Sequence, residues 1–144
     1  MLIAFSTIFV YVFLSIKIAA SARKFVRYSD APTIAFFGDS TAYGVGSSCP
    51  EKSLPGLVAL KNPKYTIIND SKNGSYIRNV TSVLSHQKVF DILFVCCGGI
   101  DILRMRNEKV IKNDLRELFE EMIKKSKKSI FVTPLNLGFS SAFP

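Results

Sequence analysis

Four short apolar runs, separated by stretches with helical spacing, constrain this chain more than any other feature. Thr33–Phe37, Tyr65–Asn69, Val89–Cys97 and Ser129–Thr133 all have strand length, and Val89–Cys97 is broken only by Asp91. Between them the period changes. Glu51–Leu60 carries Leu54, Leu57, Val58 and Ala59, and its Pro55 fits only near a first turn. Ser75–Gln87 carries Ile77, Val80, Val83 and Leu84 at helical spacing. Lys109–Lys125 is the clearest helix, with Ile111, Leu115, Leu118, Phe119 and Met122 in one stripe. Continuous strands alternating with helices need cover on both faces. The expected architecture is therefore α/β: three α/β/α layers around a doubly wound parallel sheet.

A length of 144 residues fits one domain. The expected division is an apolar segment over 1–22, a basic linker over 23–32 and the α/β domain over 33–144. The net charge of +8 is concentrated in Lys17, Arg23, Lys24 and Arg27, and in Lys124, Lys125, Lys127 and Lys128. The first group follows an apolar segment and the second ends a helical pattern, so both read as solvated surface and no nucleic-acid partner is expected. Of the three cysteines, Cys96 and Cys97 sit in an apolar run and read as small core residues, while Cys49 stands alone. An odd count with one adjacent pair is no disulfide framework. No spaced Cys/His set is present, so no zinc site is visible.

Residues 1–16 are almost wholly apolar. Cations follow this segment and none precedes Lys17, which favours an uncleaved N-terminal apolar helix anchored in a membrane, with the domain on the cytoplasmic side. Two alternatives remain. One is a cleaved signal peptide ending at Ala20-Ser21-Ala22, with export; the other is a buried soluble helix.

The first apolar run stops at Gly38-Asp39-Ser40, and Thr41-Ala42-Tyr43-Gly44-Val45-Gly46 follows. A hydroxyl thus stands at the C-terminal end of a buried strand, where open α/β sheets place their ligand sites. Asn73-Gly74 follows the second run, and Gly98-Gly99-Ile100-Asp101 ends the third. Glycine at such ends lets backbone approach a ligand. By itself, Asp39 also reads as a helix cap, and Asn73-Gly74 as a common turn.

This set of blocks resembles the SGNH, or GDSL, hydrolases. The resemblance implies the flavodoxin-like SGNH hydrolase fold and a serine esterase or lipase-like activity on a small-molecule or lipid ester, with neither a metal nor an organic cofactor. It implies Ser40 as nucleophile and the N–H groups of Ser40 and Gly74 as oxyanion donors. Gly38, Asp39, Asn73, Gly98, Gly99 and Asp101 would support them, with Asp101 bracing its loop. At the family's third donor position, an Asn, this chain has Ile100. The closing run from Thr133-Pro134 to Phe143-Pro144 also resembles the family's loop after the fourth strand. The family's Asp-x-x-His block, source of base and orienting acid, has no counterpart. The only histidine, His86, reads as a surface residue at a helix end. The sequence is therefore expected to be a C-terminally incomplete copy of the fold, itself inactive. A non-catalytic SGNH-like binding or structural module, or a decayed copy, stands as the alternative. An unrelated phosphate or nucleotide binder is disfavoured, because neither Gly-rich phosphate motif is present.

Overall fold

A computed structural model describes residue 14 and residues 16–132. Strands β1 (Thr33–Gly38), β2 (Thr66–Asn69), β3 (Phe90–Cys96) and β4 (Ser126–Val132) form one sheet. All pairs are parallel and the order is β2-β1-β3-β4. The helices are α1 (Ser40–Tyr43), α2 (Leu54–Lys61), α3 (Ile77–Ser85), α4 (Gly99–Leu103) and α5 (Glu108–Lys125). A 3-10 turn, Pro50–Lys52, precedes α2.

Successive residues of β1 feed opposite faces of the sheet. Ala35 and Phe37 join Ile77, Val80, Leu84, Leu118 and Met122 of α3 and α5 in one buried cluster. Ile34 and Phe36 join Ile67 and Ala59 of α2 in the other, with Phe25 packed against it. Phe36 stacks on Phe94 at 4.9 Å, and Phe37 tilts against Phe90 at 5.7 Å. Both faces of the central strand are thus dry, which is why its sequence is a continuous apolar run.

Boundaries shift where local chemistry overrides periodicity. The helix expected from Glu51 begins at Leu54, because the Ser53 hydroxyl caps it by accepting the Gly56 N–H at 3.3 Å. The strand expected from Ser129 begins at Ser126, directly after α5. Pairing with Phe90 extends it, and Lys127 and Lys128 therefore lie on a strand rather than at the helix end. Leu57, Val83 and Phe119 match helical stripes yet are substantially exposed; Phe119 meets Phe131 edge-on at 5.2 Å. α1 and α4 were not expected at all, being too short to display a period.

Residues 23–32 pack onto the domain. Arg27 forms an antiparallel bridge with Ile67, and its guanidinium donates to the carbonyls of Ala59, Asn62 and Tyr65. The membrane anchor expected over residues 1–22 is corrected: among the described residues no helix is long and apolar enough to cross a membrane. The described helical stretch at 16–21 contains Lys17, and the N-terminal apolar helix is not supported as a span. The cytoplasmic assignment rested on that anchor and falls with it. Residues 1–13 and the closing run from Thr133 lie outside the described residues.

Candidate active site

Because β1 lies between β2 and β3, the turns after these three strands meet at one edge of the sheet. The turn after β1 is clamped from both sides. The Asp39 N–H donates to the Cys96 carbonyl of β3 at 2.9 Å, and the Lys72 N–H donates to the Gly38 carbonyl at 3.0 Å. Gly38 has φ of +148°, and a Cβ there would lie 1.9 Å from the Cys96 carbonyl oxygen. Only glycine fits.

Asp39 then caps α1, its carboxylate accepting the Thr41 N–H at 3.0 Å. Ser40 is the first residue of that helix, so its own N–H has no intrahelical acceptor. Among the described residues neither that N–H nor the Ser40 hydroxyl has a hydrogen-bond partner. Burial pushes the Asp39 carboxyl upward, the Thr41 N–H opposes this, and the charge of Asp101 adds to it. Burial also pushes the Cys96 thiol up to about 11, so Cys96 is no nucleophile at neutral pH. Asn69 is a residue the sequence reading missed. It is buried at the end of β2, donates to the Ala42 carbonyl of α1 at 3.0 Å, and accepts the Ser71 N–H at 3.2 Å. The one available signal is a polar residue ending an apolar strand.

Gly74 has φ of +74°, with open space where a Cβ would be, and its N–H has no acceptor among the described residues. A cavity of about 310 Å³ lies beside it, lined in part by Gly38, Asn73, Gly74 and Tyr76. After β3, Gly98 at φ +108° leads into α4, whose Gly99 and Ile100 are half-buried. Asp101 is fully buried. Its Oδ2 accepts the Ile77 N–H at the start of α3 at 3.0 Å, and its Oδ1 pairs with Arg106. Arg106 also bonds Asp114 at 2.7 Å and lies 5.4 Å from the Tyr76 ring centroid.

No family model matches the sequence, and no curated protein matches it. Solved structures do. A member of the lipolytic protein G-D-S-L family from Veillonella parvula superposes with a TM-score of 0.60 at 19% identity, over 70% of this chain. AlinE4, a SGNH-hydrolase family esterase, gives 0.60 at 24% over 76%. TesA gives 0.64 at 16% over 76%. The fold is that of the SGNH, or GDSL, hydrolases. This chain spans 57%, 64% and 65% of those three structures, respectively.

Within this SGNH fold Ser40, Gly74 and Ile100 follow β1, β2 and β3 at the same sheet edge. Asn73 is exposed beside the cavity, while Asp39 and Asp101 are buried beneath the turns. His86 is not brought in. It caps the C-terminal end of α3, just before β3 begins, and so sits at the opposite edge of the sheet.

Proposed function

We propose that this chain carries the nucleophile half of an SGNH-type ester hydrolase site. Ser40 Oγ attacks the ester carbonyl carbon, and the N–H groups of Ser40 and Gly74 receive the negative charge that develops on its oxygen. The alcohol leaves, and water then hydrolyses the acyl-serine. The observation that carries this reading is the pairing of a hydroxyl at a strand end with two N–H groups, at Ser40 and Gly74, that have no acceptor among the described residues.

The proton on Ser40 Oγ needs a base, and a base needs an orienting group. His86 stands at the wrong edge, and this sequence has no Asp-x-x-His. In the whole reaction those groups come from such a block, so this chain alone is expected to turn over esters slowly or not at all. A diffusible base supplies the test. Adding imidazole should release p-nitrophenol from a short-chain p-nitrophenyl ester faster with this chain than with its Ser40→Ala variant. Equal rates across the imidazole series would sink the nucleophile assignment.

Ile100 favours a second reading, a non-catalytic module that keeps the fold. Its side chain offers no donor where the resemblance implies an Asn. Losing one such donor costs about 100- to 1,000-fold in rate. Ile100→Asn should therefore raise the imidazole-dependent, Ser40-dependent rate by about 100-fold. No change would favour the module.

A further inference from the structure

We propose that the end of α4 and the turn after it form a docking surface for an anionic lipid surface, placed beside the Ser40 edge so that a lipid ester is presented to it. The proposal rests on the ester-hydrolase reading for its purpose, though not for its test. Ile102 and Leu103, the last residues of α4, are 53% and 74% exposed, and Met105, just after the helix, is 92% exposed. They form an exposed apolar strip at the same edge of the sheet as Ser40, immediately after Ile100. Such a strip on a small domain marks an interaction site.

The strip is held, not loose. Met105 has φ of +48°, a conformation that a large L-residue adopts at a steric cost. Its N–H bonds the Ile102 carbonyl at 2.9 Å, and the Arg106 N–H bonds the Asp101 carbonyl at 3.1 Å. The Arg106 side chain is fixed between Asp101 and Asp114. A strained, fully exposed methionine presented on a pinned turn has no packing role in this domain. A partner that buries it gives it one.

Charge selects the partner. Around the strip, Arg106 is committed to two aspartates, and Glu108 is paired with Lys112 at 2.6 Å. Arg104, between Leu103 and Met105, and Lys109 on the first turn of α5 have no ion-pair partner among the described residues. The uncompensated exposed charges at the strip are therefore both positive. Apolar side chains framed by free cations fit an interface of acyl chains beneath anionic headgroups. This surface lies on a bilayer and requires no helix that crosses one.

The test is cosedimentation of the full chain with phosphatidylcholine vesicles, with and without phosphatidylserine. Binding should depend on phosphatidylserine and weaken with salt. Replacing Ile102, Leu103 and Met105 together by Ser should lower vesicle affinity about tenfold or more. Arg104→Gln and Lys109→Gln should each lower it about fivefold on phosphatidylserine vesicles alone. All five side chains are exposed, so the melting temperature should hold and a folding defect would be visible. Ser40→Ala should bind vesicles normally. Equal imidazole-dependent ester cleavage by the chain and its Ser40→Ala variant, with vesicle binding intact, defeats the catalytic reading and leaves this one standing. Three results would overturn the docking surface: no binding to phosphatidylserine vesicles, equal binding by the triple variant, or a strip-dependent dimer in place of vesicle binding.

Discussion

The turns after β1 and β2 each carry a glycine with positive φ, for opposite physical reasons. At Gly38 the backbone runs against β3 so closely that a methyl group would overlap the Cys96 carbonyl. At Gly74 nothing lies within 4 Å of that position, and only the backbone angle calls for glycine. The first turn is rigid because it is packed. The second stands open beside a cavity, and its position comes from elsewhere: the Asp101 carboxylate holds the Ile77 N–H just beyond it. A site can thus place one group by contact and another by a distant anchor.

Substitutions separate these cases. Gly38→Ala should have the largest effect. A Cβ 1.9 Å from a carbonyl oxygen cannot be accommodated without parting β1 from β3. A loss above about 4 kcal/mol, or failure to fold, is expected in urea unfolding. Asp101→Ala comes next. It removes a buried acceptor from the start of α3 and leaves Arg106 with Asp114 alone, at a cost of about 2 to 3 kcal/mol. Amide exchange should quicken at Ile77 and in the Gly74 turn, and stay slow at Asp39. Equal quickening at both turns would show that they are one unit, and the contrast would collapse. Gly74→Ala should cost only about 1 kcal/mol, the strain of a left-handed alanine in open space.

The contrast also separates what the sequence announces from what it hides. Strands β1 and β3 are legible because both faces of each are covered, which leaves continuous apolar runs. Ser40 is legible because a hydroxyl follows such a run. The reason for Gly38 is not, since it depends on the register that sets Gly38 beside Cys96. Asn69 is hidden for the same reason: its bond to Ala42 exists only because β2 lies alongside β1. β4 starts early because pairing with β3, not composition, decides where a strand begins. Helical period places Val83 and Phe119 with the core, yet both keep much of their surface in water. The N-terminal composition suggests a span that no described helix supplies. Ile100 is legible as a departure from the family block, and its half-burial in α4 follows from the turn that Gly98 allows.

The smallest effect lies at the other end of the same strands and serves as the control for both turns. Asp91, at the start of β3, accepts the Thr33 N–H of β1 at 2.8 Å and pairs with Lys127 of β4 at 2.7 Å. The Lys127 ammonium, with help from Thr33, lowers its carboxyl to about 2 from an ordinary value of 3.8. A carboxyl lowered in the folded state binds its proton more readily when unfolded. Its stabilising contribution is therefore complete above pH 4 or so, and fades as pH falls toward about 2. Asp91→Asn should flatten that acid limb by lowering the melting temperature at neutral pH and not at pH 2, and the drop should be small, since the pair is exposed and screened. Neither turn at the far edge should respond, because the sheet between them and Asp91 stays paired. An Asp91→Asn profile that still falls as steeply from pH 4 to 2 would move the acid sensitivity to other carboxylates.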